Sequence, residues 1–251
     1  MILTDQEKAI LEGKEGEARQ QAMKMLVEYG TALGVDRLLD VDDVQFGFYC
    51  PYPPFYHGGR QFKDYEELFS YSSLGSYERL EIPKVKASRC INLGGKPEAG
   101  YLDYLGIDEP KVREGIQMTD QFIKDHGINN VRTCTPHLVG HLAIKGEHLV
   151  CGESSQVIML NSVFGARVNC ETAVLGGSAA LVGKIPNSGL HLDENRRGTH
   201  LIKVDRIPSK PYQWDLLGYW IGKRVGIGVP VLEMDVPFIT LDQHKSMGGL
   251  P

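Results

Sequence analysis

The densest grouping of residues able to do chemistry is Thr133-Cys134-Thr135-Pro136-His137-Leu138-Val139-Gly140-His141, continuing to His148 and Cys151. Cys134 and His137 make a C-x2-H step, His137 and His141 stand four apart, and His148 and Cys151 make an H-x2-C step. Thiolate mixed with imidazole suits borderline metals such as zinc or iron. Pro136 and the neighbouring glycines interrupt any helix that would carry the histidines, so the same groups also read as separate turn and core residues. Glu153-Ser154-Ser155 follows, with a carboxylate and two hydroxyls where a helix would begin. It reads either as an ordinary cap or as an anion site, where backbone N–H groups and the helix dipole attract a carboxylate or phosphate. A third group, Asn161-Ser162 with Gly165-Ala166-Arg167-Val168-Asn169, offers the Arg167 fork for the same anions. A fourth, His191-Leu192-Asp193-Glu194-Asn195-Arg196-Arg197-Gly198, reads as a solvated, charged loop. Gly226-Ile227-Gly228 lacks the third glycine of a dinucleotide turn, and no GKS, GKT or G-x-S-x-G occurs. Nicotinamide, flavin, mononucleotide and serine-hydrolase readings therefore have no support.

These groups need elements to hold them, and the local patterns give several. Thr4 with Glu7 fits a capping box before a short helix reaching Gly13, and Ala18, Ala22, Met25, Leu26, Tyr29 and Leu33 trace one face of a longer helix ended by Gly34. From Val44 to Tyr77 many aromatics stand among Pro51, Pro53, Pro54 and Gly58-Gly59, which predicts an irregular, aromatic-rich loop over about 44–77. A helix from Pro110 presents Val112, Ile116, Phe122 and Ile123 and stops at Gly127; a strand is expected over Val131–Thr135. Further helices are expected from Ser154-Ser155 to Gly165, over Glu171–Gly183 and over Asp215–Val225, with a strand at Thr199–Val204. Alternating strands and helices predict an α/β fold with a mixed or parallel sheet and flanking helices.

Composition sets outer bounds. The chain has 251 residues, 42% of them apolar and 24% charged, with Lys+Arg 27 against Asp+Glu 32. That balance argues against a polybasic nucleic-acid binder. No apolar run approaches the roughly 18–20 residues that span a bilayer, and the amino terminus resembles no secretory signal, so a cytoplasmic location away from membranes is expected. Cys50, Cys90, Cys134, Cys151 and Cys170 are odd in number and widely spaced, a poor disulfide framework.

Read together, T-C-T-P-H-L-V-G, G-E-H, E-S-S-x-V, N-S-V-F-G-A-R-V-N and G-L-H-L-D-E-N-R-R-G-T, in this order over Thr133–Thr199, resemble the aconitase X family. The opening L-T-D-x-E and G-x-E-G-E-A phrases and the later D-L-L-G-Y-W-I-G-K segment extend the likeness. The resemblance implies an aconitase-like layered α/β domain, with residues 1–251 forming the N-terminal part of the family's catalytic body. It implies a hydro-lyase that uses an iron–sulfur cluster or mononuclear iron to remove water from a small hydroxylated carboxylic acid or phosphorylated hydroxy acid. Cys134 inherits a metal-ligand role, and Gly47, Asn92, Glu153, Ser154 and Arg167 are the expected substrate-binding residues; no catalytic base is assigned. The sequence departs from the family where His137 replaces a tyrosine, His141 replaces an asparagine, and Val168-Asn169-Cys170-Glu171 replaces a threonine–arginine pattern. The remaining cluster cysteines, a substrate lysine and the small swivelling domain have no counterpart here. Two solutions are open. A partner chain supplies the missing C-terminal half, alongside a small swivelling-domain subunit, which fits a chain that stops as it enters a helix after Leu241. Alternatively, Cys90, Cys50, Cys170 or His137 joins Cys134 around one metal ion. A non-catalytic binding or scaffold relative is the third possibility.

Overall fold

The computed structural model describes residues 1–48, 56–57, 60–93, 104, 106, 108–236 and 239–248. Thr4 Oγ1 accepts from Glu7 N at 3.3 Å while Glu7 Oε2 accepts from Thr4 N at 2.8 Å, and this reciprocal cap starts helix α1, Asp5–Leu11. Helix α2, Glu17–Ala32, buries Ala18, Ala22, Met23 and Leu26 at helical spacing.

The 44–77 segment corrects the sequence expectation. Its first residues form strand β2, Asp43–Phe46, which is buried throughout, after a short strand β1, Leu38–Asp40. A hairpin pairs β3, Tyr56–His57, with β4, Arg60–Gln61. Helix α3, Tyr65–Leu74, is capped by Asp64, which accepts from Glu67 N at 2.8 Å, and stops at Gly75. The prolines restrict only 51–54, outside the described residues, while the flanking aromatics turn inward: Phe48 lies 5.2 Å from Phe69 and 5.5 Å from Phe122 between ring centroids.

The site is positioned by a four-stranded sheet in the order β6-β5-β2-β7, where β5 is Arg89–Asn92, β6 is Asn129–Asn130 and β7 is Leu149–Cys151. Every neighbouring pair is parallel, with Asp43 opposite Arg89 and Leu149, and Gln45 opposite Ile91 and Cys151. Helix α4, Glu109–Asp125, connects β5 to β6. The strand expected over Val131–Thr135 is displaced: pairing ends at Asn130, because Arg132 adopts a left-handed φ of 53° and turns the chain out of the ladder.

Alternation divides the sheet's two faces. Val44, Phe46, Cys90 and Val150 face the main core, built with α2, α3 and helix α6, Ala173–Val182. Leu149 and Cys151 face a smaller core with Leu160, Ala166 and Val168. That second face is covered by helix α5, Ser154–Met159, and the π-helical turn Leu160–Phe164 that ends at Gly165. Helix α6 lies close to α3 because Gly177 has no side chain; a Cβ there would stand 2.4 Å from Ser73 Cβ. Strand β8, Lys184–Pro186, pairs antiparallel with β1. Beyond it, β9, His200–Val204, runs parallel to β10, Pro230–Met234, joined through helix α7, Pro211–Val225. Helix α8, Leu241–Gly248, packs on α7 and α5.

Candidate functional site

Because the four strands are parallel, their carboxyl ends share one edge of the sheet. The chain leaves β2 toward β5 and β6 on one side and returns as β7 on the other, so the winding direction changes between β2 and β7. A crevice outside the strand ends at such a point is where ligands bind in open α/β sheets. Gly47 follows β2 there, and Gly152, Glu153 and Ser154 follow β7. Gly152 N donates to Gln45 O at 3.4 Å, tying the two ends together. Gly152 must be glycine, since a Cβ would stand 2.6 Å from the Glu171 carbonyl oxygen.

Asn92 sits at the same edge and is buried, at 1% exposure. Its Oδ1 accepts from Phe48 N at 2.8 Å and its Nδ2 donates to Asn130 Oδ1 at 2.9 Å, so one carboxamide fastens the ends of β2, β5 and β6. Asn92, a substrate-binding expectation from the sequence, stands at this edge and holds the strand ends together. Arg132, paired with Asp120, then delivers Thr133-Cys134-Thr135. Thr133 Oγ1 accepts from Thr135 N at 3.1 Å, which folds the turn around an exposed Cys134.

Glu153, not Ser154, is the cap of α5: its Oε1 accepts from Ser155 N at 3.4 Å and from the Ser154 hydroxyl at 3.4 Å. The carboxylate itself therefore occupies the anion position of this short helix.

The other sequence candidates separate. Cys90 faces the main core with no exposure, and burial pushes its thiol well above the usual range, which disfavours the thiolate a metal requires. Burial likewise pushes Cys151 up to about 12. Cys170 is an exposed free thiol whose backbone pairs with that of Cys151 at the carboxyl end of β7. Cys50 lies outside the described residues. His137 Nδ1 meets Gln156 Oε1 at 2.6 Å. His141 Nε2 lies 2.9 Å from Asp43 Oδ2, at the amino end of β2, so the i+4 histidines serve different partners. His148 Nδ1 lies 3.0 Å from His191 Nδ1, at the amino end of β7, which separates it from Cys151. Arg167 is also there: it bridges to His148, donates to His191 O at 2.9 Å and pairs with Asp193. Its guanidinium braces the 191–196 loop, a strand length from Glu153, so the structure does not bring it to the edge with Asn92 and Glu153. Among the described residues no three His, Cys, Asp or Glu side chains converge to hold a metal ion, so these residues alone do not fit a complete iron or iron–sulfur site.

Sequence reading missed the frame at the opposite edge. Asp43, fully buried, is held by Arg89 Nη2 at 2.7 Å and by His141, while Arg89 Nη1 reaches Glu147 Oε1 at 2.7 Å. It also missed Gln45, with no exposure. The period of two in Asp43-Val44-Gln45-Phe46 carried the signal, polar residues on one face and apolar on the other.

Residues 1–194 match the family model described as aconitase X first domain. The phosphomevalonate dehydratase large subunit of Methanocaldococcus jannaschii is 33% identical over 238 residues, covering 93% of this chain and 55% of that protein. The protein of the same name from Methanosarcina mazei is 34% identical, covering 99% and 58%. The cis-3-hydroxy-L-proline dehydratase of Pseudomonas aeruginosa is 29% identical over 90% of this chain and 36% of its own length. The crystal structure of Thermococcus kodakaraensis aconitase X in its holo-form superposes with a TM-score of 0.74 at 31% identity, over 99% of this chain and 59% of that one. The chain thus spans about half the length of the large-subunit relatives it matches.

Proposed function

Because the chain belongs to the aconitase X family, we propose that it forms the substrate-binding edge of a hydro-lyase acting on a small hydroxylated acid. The observation that carries this reading is the placement of Gly47, Glu153 and Ser154 at the carboxyl ends of the adjacent parallel strands β2 and β7, where the winding of the sheet reverses, with the Cys134 turn following β6 at the same edge. Gly47, Glu153 and Ser154 contact the substrate; Asn92 acts through the latch it makes with Phe48 and Asn130. Glu153, the acidic group at the crevice, binds or relays a proton for the substrate hydroxyl. Arg167 belongs to the frame.

Cys134 is the residue we assign to iron or an iron–sulfur centre. Its turn is exposed, which supports ligands arriving from another polypeptide: the equivalent of the part of the large-subunit relatives that this chain does not span, together with a small swivelling-domain subunit. The local substitutes considered from sequence, Cys90 and His137, do not assemble with Cys134 among the described residues.

The test is turnover of 5-phosphomevalonate and of cis-3-hydroxy-L-proline by the complex, compared with Glu153→Ala. We expect Glu153→Ala to lower kcat/KM by at least about ten-fold, the loss of one charged hydrogen bond in the transition state. Unchanged kinetics would reduce Glu153 to a helix cap and overturn the assignment.

A further inference from the structure

Residues 195–251 lie beyond the part that matches the first-domain model, and they leave apolar surface open. Strands β9 and β10 form a two-stranded parallel sheet, and among the described residues no further strand pairs with either outer edge. Parallel sheets are normally covered on both faces, and two strands alone are marginal. Here Leu201, 59% exposed, stands in register with Val231, 48% exposed.

Helix α7 carries two apolar stripes. Trp214, Gly218, Ile221 and Val225 recur at helical spacing and are buried. Gly218 lets α8 come close, since a Cβ there would stand 2.4 Å from Met247 O. Tyr212, Leu216, Tyr219 and Trp220 recur at the same spacing on another side, and all four are exposed, Leu216 at 62%. A helix that is apolar on two sides is built to be covered on both. The second stripe borders an open groove of about 330 Å3 beside β9, lined by Val204, Ile207, Pro208, Leu216, Leu217 and Trp220. Arg206 lines the same groove, and the Arg224 guanidinium lies over the Trp220 ring, 4.4 Å from its centroid. Tryptophan, tyrosine and arginine around an apolar cleft are the residues that carry binding energy between proteins, and such a patch marks a contact surface.

Two observations bear on what covers it. The solved aconitase X chain aligns over nearly the whole of this one, this unit included, and it and the large-subunit relatives carry further polypeptide that this chain does not span. Charge argues against a second copy, because a two-fold contact through the groove would crowd Arg206 and Arg224 of both copies into one interface. We propose that the α7 groove is the docking surface for the polypeptide that corresponds to the unspanned part of those relatives. That partner seats an apolar segment against Leu216 and Trp220 and turns carboxylates toward Arg206 and Arg224. The identity of the partner rests on the hydro-lyase reading.

The test is photo-crosslinking in the cells that make the protein, with the full chain carrying benzoylphenylalanine in place of Leu216 and the joined peptides identified by mass spectrometry. The expected product joins this position to a polypeptide that matches the part of the relatives this chain does not span. A product with a second copy, a product with an unrelated protein, or no product overturns the assignment. Leu216→Asp and Trp220→Ser, both at exposed positions, are expected to keep the circular dichroism of the unsubstituted chain and to lower co-purification of that partner at least about ten-fold. Undiminished co-purification in both variants overturns the groove as the docking surface. If the purified complex eliminates water from neither 5-phosphomevalonate nor cis-3-hydroxy-L-proline, the hydro-lyase reading has failed, while the cross-link still decides whether the groove docks this partner.

Discussion

Replacing Arg89 by methionine tests how the site's frame is held. Asp43 has a fully buried carboxylate at the start of the central strand, and Arg89 meets it at 2.7 Å while also bonding Glu147 and the Leu142 carbonyl at 2.7 Å each. Removing the guanidinium leaves Asp43, among the described residues, with His141 and Gln45 and frees the 142–147 loop. Breaking one partner of a buried pair costs about 3–5 kcal/mol, because a charge stays behind in a low-dielectric interior. In a chain of this size each 1 kcal/mol moves the midpoint by roughly 2–4 °C, so Tm should fall by about 6–20 °C. The double variant Arg89→Met with Asp43→Asn removes the stranded charge and should recover at least half of that loss. Thermal unfolding followed by circular dichroism, with urea titration as a second measure, reads both. A fall below about 2 °C in the single variant, or a double variant worse than the sum of the two singles, would refute a paired-charge frame.

The 191–196 loop gives a pH signature. Burial, with help from His148, Arg167 and Arg196, lowers His191 from 6.5 to about 4, while Asp193 faces His148 and Arg196 with the opposite charge. The unfolded chain then binds a proton that the folded one refuses. Stability is complete above about pH 6.5 and declines as the pH falls toward 4, by about 3 kcal/mol at about 1.4 kcal/mol per unit. Urea midpoints from pH 7.5 to 4.5 check this, and His191→Gln should flatten the slope; an unchanged slope would remove His191 as its source. Asn92→Leu should destabilise the protein by about 1–3 kcal/mol by leaving Phe48 N buried and unpaired. It should also weaken substrate binding by loosening three strand ends; if stability drops and KM does not move, the latch does not shape the crevice.

What could be read from the residues depended on how local the cause was. The cap at Thr4, the stop at Gly183 and the α6 helix follow from contacts within a few residues, and their positions agree with the pattern. The central strand was hidden because Asp43 and Gln45 are polar yet buried, and only distant partners, Arg89 and His141, make that tolerable. The aromatic stretch read as a loop because proline punctuation was extended past the residues it constrains, whereas Phe48 and Phe69 answer to α4 across the core. For the site, Glu153 and Cys134 stand in phrases visible in the sequence, whereas Gly47 entered only through the family resemblance. Arg167 pairs with Asp193, 26 residues away, and no local spacing marks that pairing. Histidines spaced like ligands proved to serve Asp43, Gln156 and His191, since a four-residue interval in a turn does not keep side chains on one face.

The most direct measurement is the iron content of anaerobically purified protein, in complex with the polypeptides proposed to complete it, unsubstituted and as Cys134→Ser, read alongside water elimination from 5-phosphomevalonate and cis-3-hydroxy-L-proline. The account predicts an iron-containing complex that eliminates water from one of these acids, and a Cys134→Ser variant that folds normally but holds no iron and has no turnover. Full iron and full turnover in Cys134→Ser, or an iron-free complex that is inert toward both acids, would contradict it.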